Sequence, residues 1–487
     1  MALAPLLWMY LRSVWGEEGF SLASYEALFS NTIVWNSFGN SLFLAFWVAL
    51  ATSVVGTILG FLFVKSDILF VKVSMVLLLT PLLVPPYIVA FAWYAVLGHH
   101  PLLFGFWGTF WVLFSVYLPI PMLMSMLFLR QIHPHLEEMA SLYTDFWGIV
   151  KGVLFPLILP VFVFSFLLVF MLSFGEFSVA NFLRYPVFST VSFTEFSAFY
   201  DFDGATAATL PLVGLALVVM WILKKSSTTF SFKSAGRVKQ YDLGVYLLPL
   251  TLLVVFLVGF IMIVPFGALI ARVGRWESFV LAWDKAIVPL SHTLLYATLG
   301  ASVLLFFGFL MALMLEKKRF LWLDGVLLFL FLVPFSVIAI GLIQLYNTPY
   351  TNFIYASPLI LLFAYLAKYL FVSTKIVQAK LSQIPPSLRE AAVLSGAGWF
   401  DMIRYILIGL SLESLALAWL VGFLFVLRES TMTMLLYPAG WESLSVSIFT
   451  LMANGNPEVI AGLCVIMIGM TLLPLAWVWW LWERSPS

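Results

Sequence analysis

Residues 383–399 read QIPPSLREAAVLSGAGW, and this stretch carries both a start signal and a stop signal for a short helix. Its two adjacent prolines prevent a helix from running in from upstream. Ser387 is a candidate N-cap, and Glu390 would complete a capping box. Gly396 can end the helix because glycine tolerates a positive φ. The stretch therefore predicts an independent helix of two turns, which is marginal alone and would be stabilised by docking into another protein.

The sequence on both sides of this stretch is strongly apolar. Of the 487 residues, 63% are hydrophobic and only 10% are Asp, Glu, Lys or Arg, against about 25% in a soluble domain. The mean hydropathy is +1.07. Continuous apolar runs recur at roughly the 20-residue length of a membrane-spanning helix, without the alternation of a membrane β-barrel. The composition therefore predicts a polytopic helical membrane protein.

Charge and motifs exclude several classes of function. A net charge of +1 does not provide the basic surface that a general nucleic-acid binder needs. Cys464 is the single cysteine, which excludes an intramolecular disulfide and a cysteine-ligated cluster. The sequence contains neither an HExxH motif nor a P-loop. Tyrosines and carboxylates do not cluster with metal-ligand spacing, so we predict no metal site.

Eleven apolar runs are long enough to be transmembrane helices. Their approximate bounds are 41–64, 70–97, 107–130, 149–173, 206–224, 243–271, 291–316, 321–346, 356–378, 403–427 and 458–482. A further run, from Leu3 to Leu11, is too short to span alone and is either an interfacial stub or part of a first helix. We therefore predict an all-α integral membrane fold with 11–12 transmembrane helices.

Basic residues concentrate at one set of alternating span ends, for example at Lys65, Arg130 and Lys317. The positive-inside rule places these ends in the cytoplasm. The loops 131–148 and 379–402 would then both be cytoplasmic. A polar linker rich in Ser, Thr and Lys, residues 225–242, reads as a flexible connection on the same side.

The linker separates two copies of one unit. Residues 131–140, QIHPHLEEMA, align with residues 383–392, QIPPSLREAA, at an offset of 252. The same offset pairs Ser41 with Thr293. Because both polar loops lie on one side, the copies are predicted to be parallel and related by a pseudo-two-fold axis along the membrane normal. The predicted domains are a first repeat 1–224 with its loop 131–148, the linker 225–242, and a second repeat 243–487 with its loop 379–402.

The second copy resembles the signature of the permease subunits of binding-protein-dependent (type I) ABC importers. That signature is Glu-Ala-Ala, three residues, Gly, nine residues and Ile-x-Leu-Pro. The matching positions are Glu390, Ala391, Ala392, Gly396 and Ile406. Ile408 and Gly409 depart from it, standing where Leu and Pro are usual. In the first copy Glu138 and Ala140 match, whereas Thr144 replaces the Gly.

The resemblance implies that each short helix is a coupling helix, seated in a cleft of a cytoplasmic ATPase. Two ATPase subunits would bind ATP and Mg²⁺, so the chain itself would carry no cofactor and catalyse no reaction. A periplasmic or lipid-anchored binding protein would deliver the substrate. The implied ATPase-coupling residues are Glu138, Ala140, Thr144, Ser387, Glu390, Ala391, Ala392 and Gly396.

The fused layout resembles the ferric-iron (Fe3+) transport branch of that family. The second copy has Arg428-Glu429-Ser430-Thr431 where the branch has Arg-Glu-Leu, and Ser173–Phe177 looks like the first-half counterpart. A Val-Pro motif also recurs, at 84–85 and 333–334. The resemblance implies Fe(III) as the substrate and the bacterial inner membrane as the location. Thiamine and phosphonate permeases share the fused layout and stay as alternatives.

Several ionisable residues lie in or beside the apolar runs, where charge is costly and suggests function. Glu176 and Glu429 occupy similar places in the two copies and are candidates for the translocation pathway. Lys368 is predicted to extend its amine to the cytoplasmic boundary. Glu413, well inside its run, is predicted to form an interhelical hydrogen bond. An ion-coupled secondary carrier would need paired acidic residues at mid-membrane, and a membrane enzyme would need a larger soluble loop.

Overall fold

The computed structural model of the chain describes residues 3–16, 19–197, 201–225 and 238–484. Of the predicted linker 225–242, residues 226–237 lie outside the described residues. Two-residue strands at Trp15–Gly16 (β1) and Gly19–Phe20 (β2) pair as an antiparallel hairpin. Nearly all the remaining described residues that have regular structure are helical, as the predicted all-α class requires.

Within the described residues, thirteen α-helices precede the linker. They are α1 Ala4–Val14, α2 Ala23–Ser30, α3 Thr32–Lys65, α4 Val71–Leu83, α5 Pro86–Leu97, α6 Phe106–Tyr117, α7 Pro119–Leu129, α8 Pro134–Ser141, α9 Phe146–Ile149, α10 Phe155–Phe174, α11 Ser178–Phe182, α12 Phe188–Ser197 and α13 Phe202–Lys225. A π-helical turn at Val150–Leu154 joins α9 to α10.

Between residues 238 and 484, thirteen more α-helices follow. They are α14 Leu247–Val258, α15 Val264–Val273, α16 Trp276–Leu315, α17 Leu321–Leu332, α18 Phe335–Tyr346, α19 Asn352–Tyr355, α20 Leu359–Leu381, α21 Pro386–Leu394, α22 Trp399–Asp401, α23 Leu412–Leu427, α24 Thr431–Leu436, α25 Leu444–Leu451 and α26 Pro457–Arg484. Further π-helical turns are Gly259–Ile263 and Met402–Ile408, and short 3₁₀ turns are Gly244–Tyr246, Lys318–Phe320 and Gly409–Ser411.

Within the described residues, nine helical segments are long and apolar enough to cross a membrane, and the number rises to eleven if two bent pairs each count as one span. The pairs are α4 with α5, bent by 107°, and α17 with α18, bent by 104°. Each of the predicted spans 70–97 and 321–346 therefore corresponds to two helices joined at a bend. Helix α1 has 11 residues and is not among the candidate spans.

Proline causes both bends. Val84 and Val333, each directly before a proline, have ψ of 147° and 133° instead of the helical value. A proline ring disfavours helical backbone at the preceding residue, and it removes the amide hydrogen that would continue the helix. The recurrence of the Val-Pro motif in the sequence was therefore the signal for a break.

One of two compact units consists of Met1–Val14, Ile287–Ser447 and Leu473–Ser487. In it, α1 packs against α18, and Leu6 and Met9 are among the apolar side chains that α1 buries. Gly341 allows the close approach, because a methyl group there would lie 3.1 Å from the carbonyl oxygen of Pro5. The N-terminal helix thus belongs to the same unit as most of the second half of the sequence.

The other compact unit consists of Trp15–Ala286 and Ile448–Leu472. Here α15, from the beginning of the second half, packs against α5. An apolar core forms between α3, α7 and α10, with Leu59, Met122 and Ile158 among its buried side chains. The two compact units do not follow the boundary between the predicted repeats 1–224 and 243–487. The repeats therefore stay a prediction from the sequence.

Candidate coupling site and buried carboxylates

The first short polar helix, α8, lies between α7 and α9. Its first residue is Pro134, and His133 before it is extended, with ψ of 128°. Proline suits the first position of a helix because its fixed φ is already helical. Glu138 is exposed and pairs with His135 at 3.0 Å. Ala140 is half-buried, and Thr144 lies in the turn after the helix, where its amide donates to the Ala140 carbonyl.

The second short helix, α21, begins two residues earlier than the sequence predicted. Its first residue is Pro386 and its N-cap is Pro385, which makes no side-chain hydrogen bond. The predicted cap by Ser387 is therefore wrong: Pro386 takes the first helical position, so Ser387 falls inside the first turn. Glu390 is exposed and is not closed into a capping box.

The end of α21 is as predicted. Gly396 has φ of +82°. Its amide donates to the Val393 carbonyl, and the Ala397 amide donates to the Ala392 carbonyl at 3.0 Å. These bonds satisfy carbonyls that the last helical turn leaves free. Ala391 is exposed and Ala392 is half-buried, so the surface of the helix is thin and accessible.

Both short helices present apolar side chains to their surroundings. In the first copy Leu142 and Tyr143 are 78% and 89% exposed, and in the second Leu394 is 88% exposed. Met139 and Val393 are also exposed. These exposed apolar groups lie on segments outside the candidate spans.

Each short helix is anchored to the end of a long helix by an ion pair. In the first copy the Lys65 ammonium, at the end of α3, pairs with Glu137, and both side chains are fully buried. In the second copy Arg389 donates two hydrogen bonds of 2.8 Å to Glu316, directly after α16. This contact raises the pKa of Arg389. The sequence alignment places Glu137 opposite Arg389. An ionisable residue at this position in both copies was the signal that could have indicated these ion pairs.

The candidate pathway glutamates are both buried and serve as caps. The Glu176 carboxylate accepts hydrogen bonds from the amides of Ser178 at 2.9 Å and Val179 at 3.0 Å, at the start of α11. The Glu429 carboxylate accepts one from the Met432 amide at 3.0 Å, at the start of α24. These bonds account for the burial of both groups.

The surroundings of the two glutamates repeat in detail. The hydroxyl of Ser189 donates to the Glu176 carbonyl at 2.9 Å, and that of Ser445 donates to the Glu429 carbonyl at 3.1 Å. Ser41 accepts from the Phe188 amide, and Thr293 accepts from the Leu444 amide, both at 2.7 Å. The internal alignment that paired Ser41 with Thr293 thus corresponds to equivalent hydrogen bonds in the two halves.

Two other ionisable residues differ from prediction. Lys368 does not reach a boundary: it is buried, and its ammonium donates to the carbonyls of Phe331 and Val333 at 2.7 and 2.5 Å. These are carbonyls that the break before Pro334 leaves without helical partners. Glu413 is exposed in the first turn of α23 and lacks a described hydrogen-bond partner, so the predicted interhelical bond is wrong.

Replacing Lys368 with methionine is expected to destabilise the protein. The substitution leaves two buried carbonyls unsatisfied, at about 1–3 kcal/mol each. Thermal unfolding of the purified protein in detergent measures the loss. Lys375→Met on the same helix is the matched control, because the Lys375 ion pair with Asp324 is about one-third exposed and such pairs contribute about 0–1 kcal/mol. Equal effects of the two substitutions would contradict the assignment.

No family model matches the chain. It is 24% identical over 474 residues to the Fe(3+)-transport system permease protein FbpB 2 of Haemophilus influenzae, covering 91% of this chain and 89% of that protein. It is 24% identical over 455 residues to the ferric transport system permease protein FbpB of Actinobacillus pleuropneumoniae, covering 81% and 64%. It is 25% identical over 203 residues to the spermidine/putrescine transport system permease protein PotC of Escherichia coli K12, covering 41% and 75%.

The helical fold and the candidate spans define a multi-pass membrane protein that is similar to transport permeases. More particularly, the chain is related to the permease subunits of ABC importers, and ferric transport permeases resemble it over most of its length. This confirms the family resemblance found in the sequence. These relatives are named as ferric transport permeases. Among the described residues, His, Cys, Asp and Glu form no group of three that could hold a metal ion.

Proposed function

We propose that the chain is the permease subunit of an ATP-driven importer in the bacterial inner membrane. The observation that carries this proposal is the pair of short helices α8 and α21, which expose apolar side chains outside the candidate spans. Two cytoplasmic ATPase subunits would dock on these helices, bind ATP and Mg²⁺, and drive alternating access of the permease. The chain would contribute no catalytic group and no cofactor.

The proposed substrate is ferric iron, delivered by a periplasmic or lipid-anchored binding protein. The support is similarity over 91% of the chain to a ferric transport permease. The shorter similarity to a spermidine/putrescine permease favours a polyamine as the second candidate. A permease should hold its substrate weakly, because tight binding would prevent release. A strong metal site is therefore not required for iron transport.

Uptake assays distinguish these substrates. A strain lacking the gene, and the same strain carrying it on a plasmid, would receive labelled Fe(III), spermidine, thiamine or a phosphonate. Restoration of Fe(III) uptake alone supports the proposal. Restoration of another solute alone would overturn the ferric assignment but keep the importer. Failure to recover an ATPase with the purified chain would count against the importer mechanism itself.

Glu176 and Glu429 remain our candidates for the pathway. Replacing both with glutamine keeps one acceptor oxygen on each side chain, so the caps of α11 and α24 survive in part. We expect uptake per folded molecule to fall more than about tenfold, since buried charges in membrane proteins commonly serve transport. Glu413→Gln, at an exposed glutamate of α23, is the matched control. Unchanged uptake per folded molecule in the double variant would leave the two carboxylates as structural caps only.

A further inference from the structure

The short helix α8 is anchored chiefly by one charged residue. Glu137 is the single buried residue within α8, and Ala140 is half-buried against the apolar core of α3, α7 and α10. A helix of two turns does not hold itself in place. The contacts of Glu137 are therefore the main constraint on the position of α8.

Glu137 is held by two different parts of the chain. One carboxylate oxygen pairs with Lys65 at the end of α3. The other accepts a hydrogen bond of 2.7 Å from the hydroxyl of Tyr241, and the Glu137 carbonyl accepts one of 3.3 Å from Lys239. Tyr241 and Lys239 both belong to the end of the linker between the two halves. Burial and the hydrogen bond to Glu137 raise the pKa of Tyr241, so its hydroxyl stays protonated and donates.

The same linker segment is itself fixed to the end of α3. The Tyr241 amide donates to the Lys65 carbonyl at 2.7 Å, and the Leu243 amide donates to the Asp67 carboxylate at 3.1 Å. The Tyr241 ring lies against Phe61 and Phe146, with centroids 6.2 and 5.3 Å apart. Residues 238–243, which we call the strap, therefore contact both the end of α3 and Glu137.

The second half has an ion pair at the equivalent position, formed by different residue types. In α21, which buries no residue, Arg389 corresponds to Glu137, and its partner Glu316 lies at the end of α16 as Lys65 lies at the end of α3. The ion pair is kept with its polarity reversed. A tether between a short helix and a long helix is thus common to both halves.

We propose that Glu137 is the positioning residue of the first coupling helix, and that the strap 238–243 locks it to α3 so that motion of a docked partner passes into that helix. The fully buried pair makes the tether rigid, because breaking it would leave a buried charge without its partner. The first copy lacks the glycine that ends the second short helix, and it has one Ala where the second copy has two. The strap therefore gives α8 a stabilising contact that its own sequence does not supply.

Hydrogen exchange on the purified permease, without ATPase, tests the tether directly. In Glu137→Ala, amides of residues 133–144 and 238–243 should exchange about tenfold faster, since local opening becomes easier. Tyr241→Phe, which removes one hydroxyl, should give a smaller increase in the same two segments. Tyr246→Phe, at an exposed tyrosine beyond the strap, is the matched control and should change neither. Unchanged exchange in both Glu137→Ala and Tyr241→Phe would overturn the proposal.

Charge reversal separates positioning from a merely structural role. Lys65→Glu and Glu137→Lys should each loosen α8, and the double reversal should bring exchange back to within about threefold of the wild type. In the reconstituted importer, solute moved per ATP hydrolysed should fall severalfold in each single variant and recover in the double variant. A double variant no better than the singles would overturn the proposal.

Only this second readout rests on the proposed function. If the wild-type permease moved no solute, the importer assignment would fail while the exchange result still decided whether Glu137 and the strap hold α8. If exchange rose as expected but solute moved per ATP stayed at the wild-type value, the tether would exist without a role in coupling, and the proposal would be wrong.

Discussion

Gly56→Leu is expected to prevent recovery of folded permease. A methyl group at Gly56 would lie 2.9 Å from the backbone nitrogen of Met122 and 2.8 Å from the ring of Pro121. One turn later, a methyl group at Gly60 would lie 2.8 Å from the Cβ of Ser125. The two glycines are four residues apart and form the small-residue contact that lets membrane helices approach closely. A leucine would force α3 away from α7.

The measurement is the yield of monodisperse permease after membrane extraction, with its thermal midpoint. Overpacking of a well-packed site costs about 1–3 kcal/mol and more where backbone must move, so we expect little folded protein. Gly214→Leu is the matched control, because Gly214 is exposed on α13 and a side chain there meets open space. Equal yields from the two variants would refute close packing of α3 on α7.

The double variant Glu390→Ala, Gly396→Val is expected to abolish uptake while the permease stays inserted and folded. At Gly396 a side chain would meet nothing within 4 Å, so the obstacle is the backbone: left-handed geometry costs a residue with a Cβ about 1–2 kcal/mol. In a helix of two turns that loss unravels the end. Removing the exposed Glu390 carboxylate takes away a charge available to the ATPase.

Recovery of the ATPase with each purified variant is the measurement, alongside uptake. Gly396→Asn serves as the control, since asparagine tolerates a positive φ better than valine, and should retain most ATPase recovery. Glu138→Ala should act in the same direction as Glu390→Ala, with a smaller effect. Normal uptake and ATPase recovery in the double variant would refute the coupling role of α21.

Local signals in the sequence predicted much of the coupling region. The proline pair and Gly396 bracketed α21 correctly, because proline and glycine act on backbone geometry alone. The same locality misplaced the cap: Ser387 fits the capping pattern, but Pro386 occupies the first helical position. The capping residue depends on which residue begins the helix, and the spacing of the sequence motif did not determine that residue.

Such local signals could not predict contacts between residues that are far apart in the sequence. Lys368 looked like a boundary residue because its partners, the carbonyls of Phe331 and Val333, are 37 and 35 residues away. Glu137 stood beside the recognised Glu138, and its partners Lys65 and Tyr241 are 72 and 104 residues away. The charge inversion between Glu137 and Arg389 was visible in the repeat, yet only the tertiary structure gives it meaning.

The packing of α1 on α18 has a consequence for the order of biosynthesis. The ribosome makes Phe335, the first residue of α18, roughly 320 residues after the end of α1, which at about 5–20 residues per second is a delay of roughly 15–65 s. Helix α1 is complete long before the surface that buries Leu6 and Met9 exists. A chain arrested before Phe335 would therefore leave the apolar face of α1 without its partner.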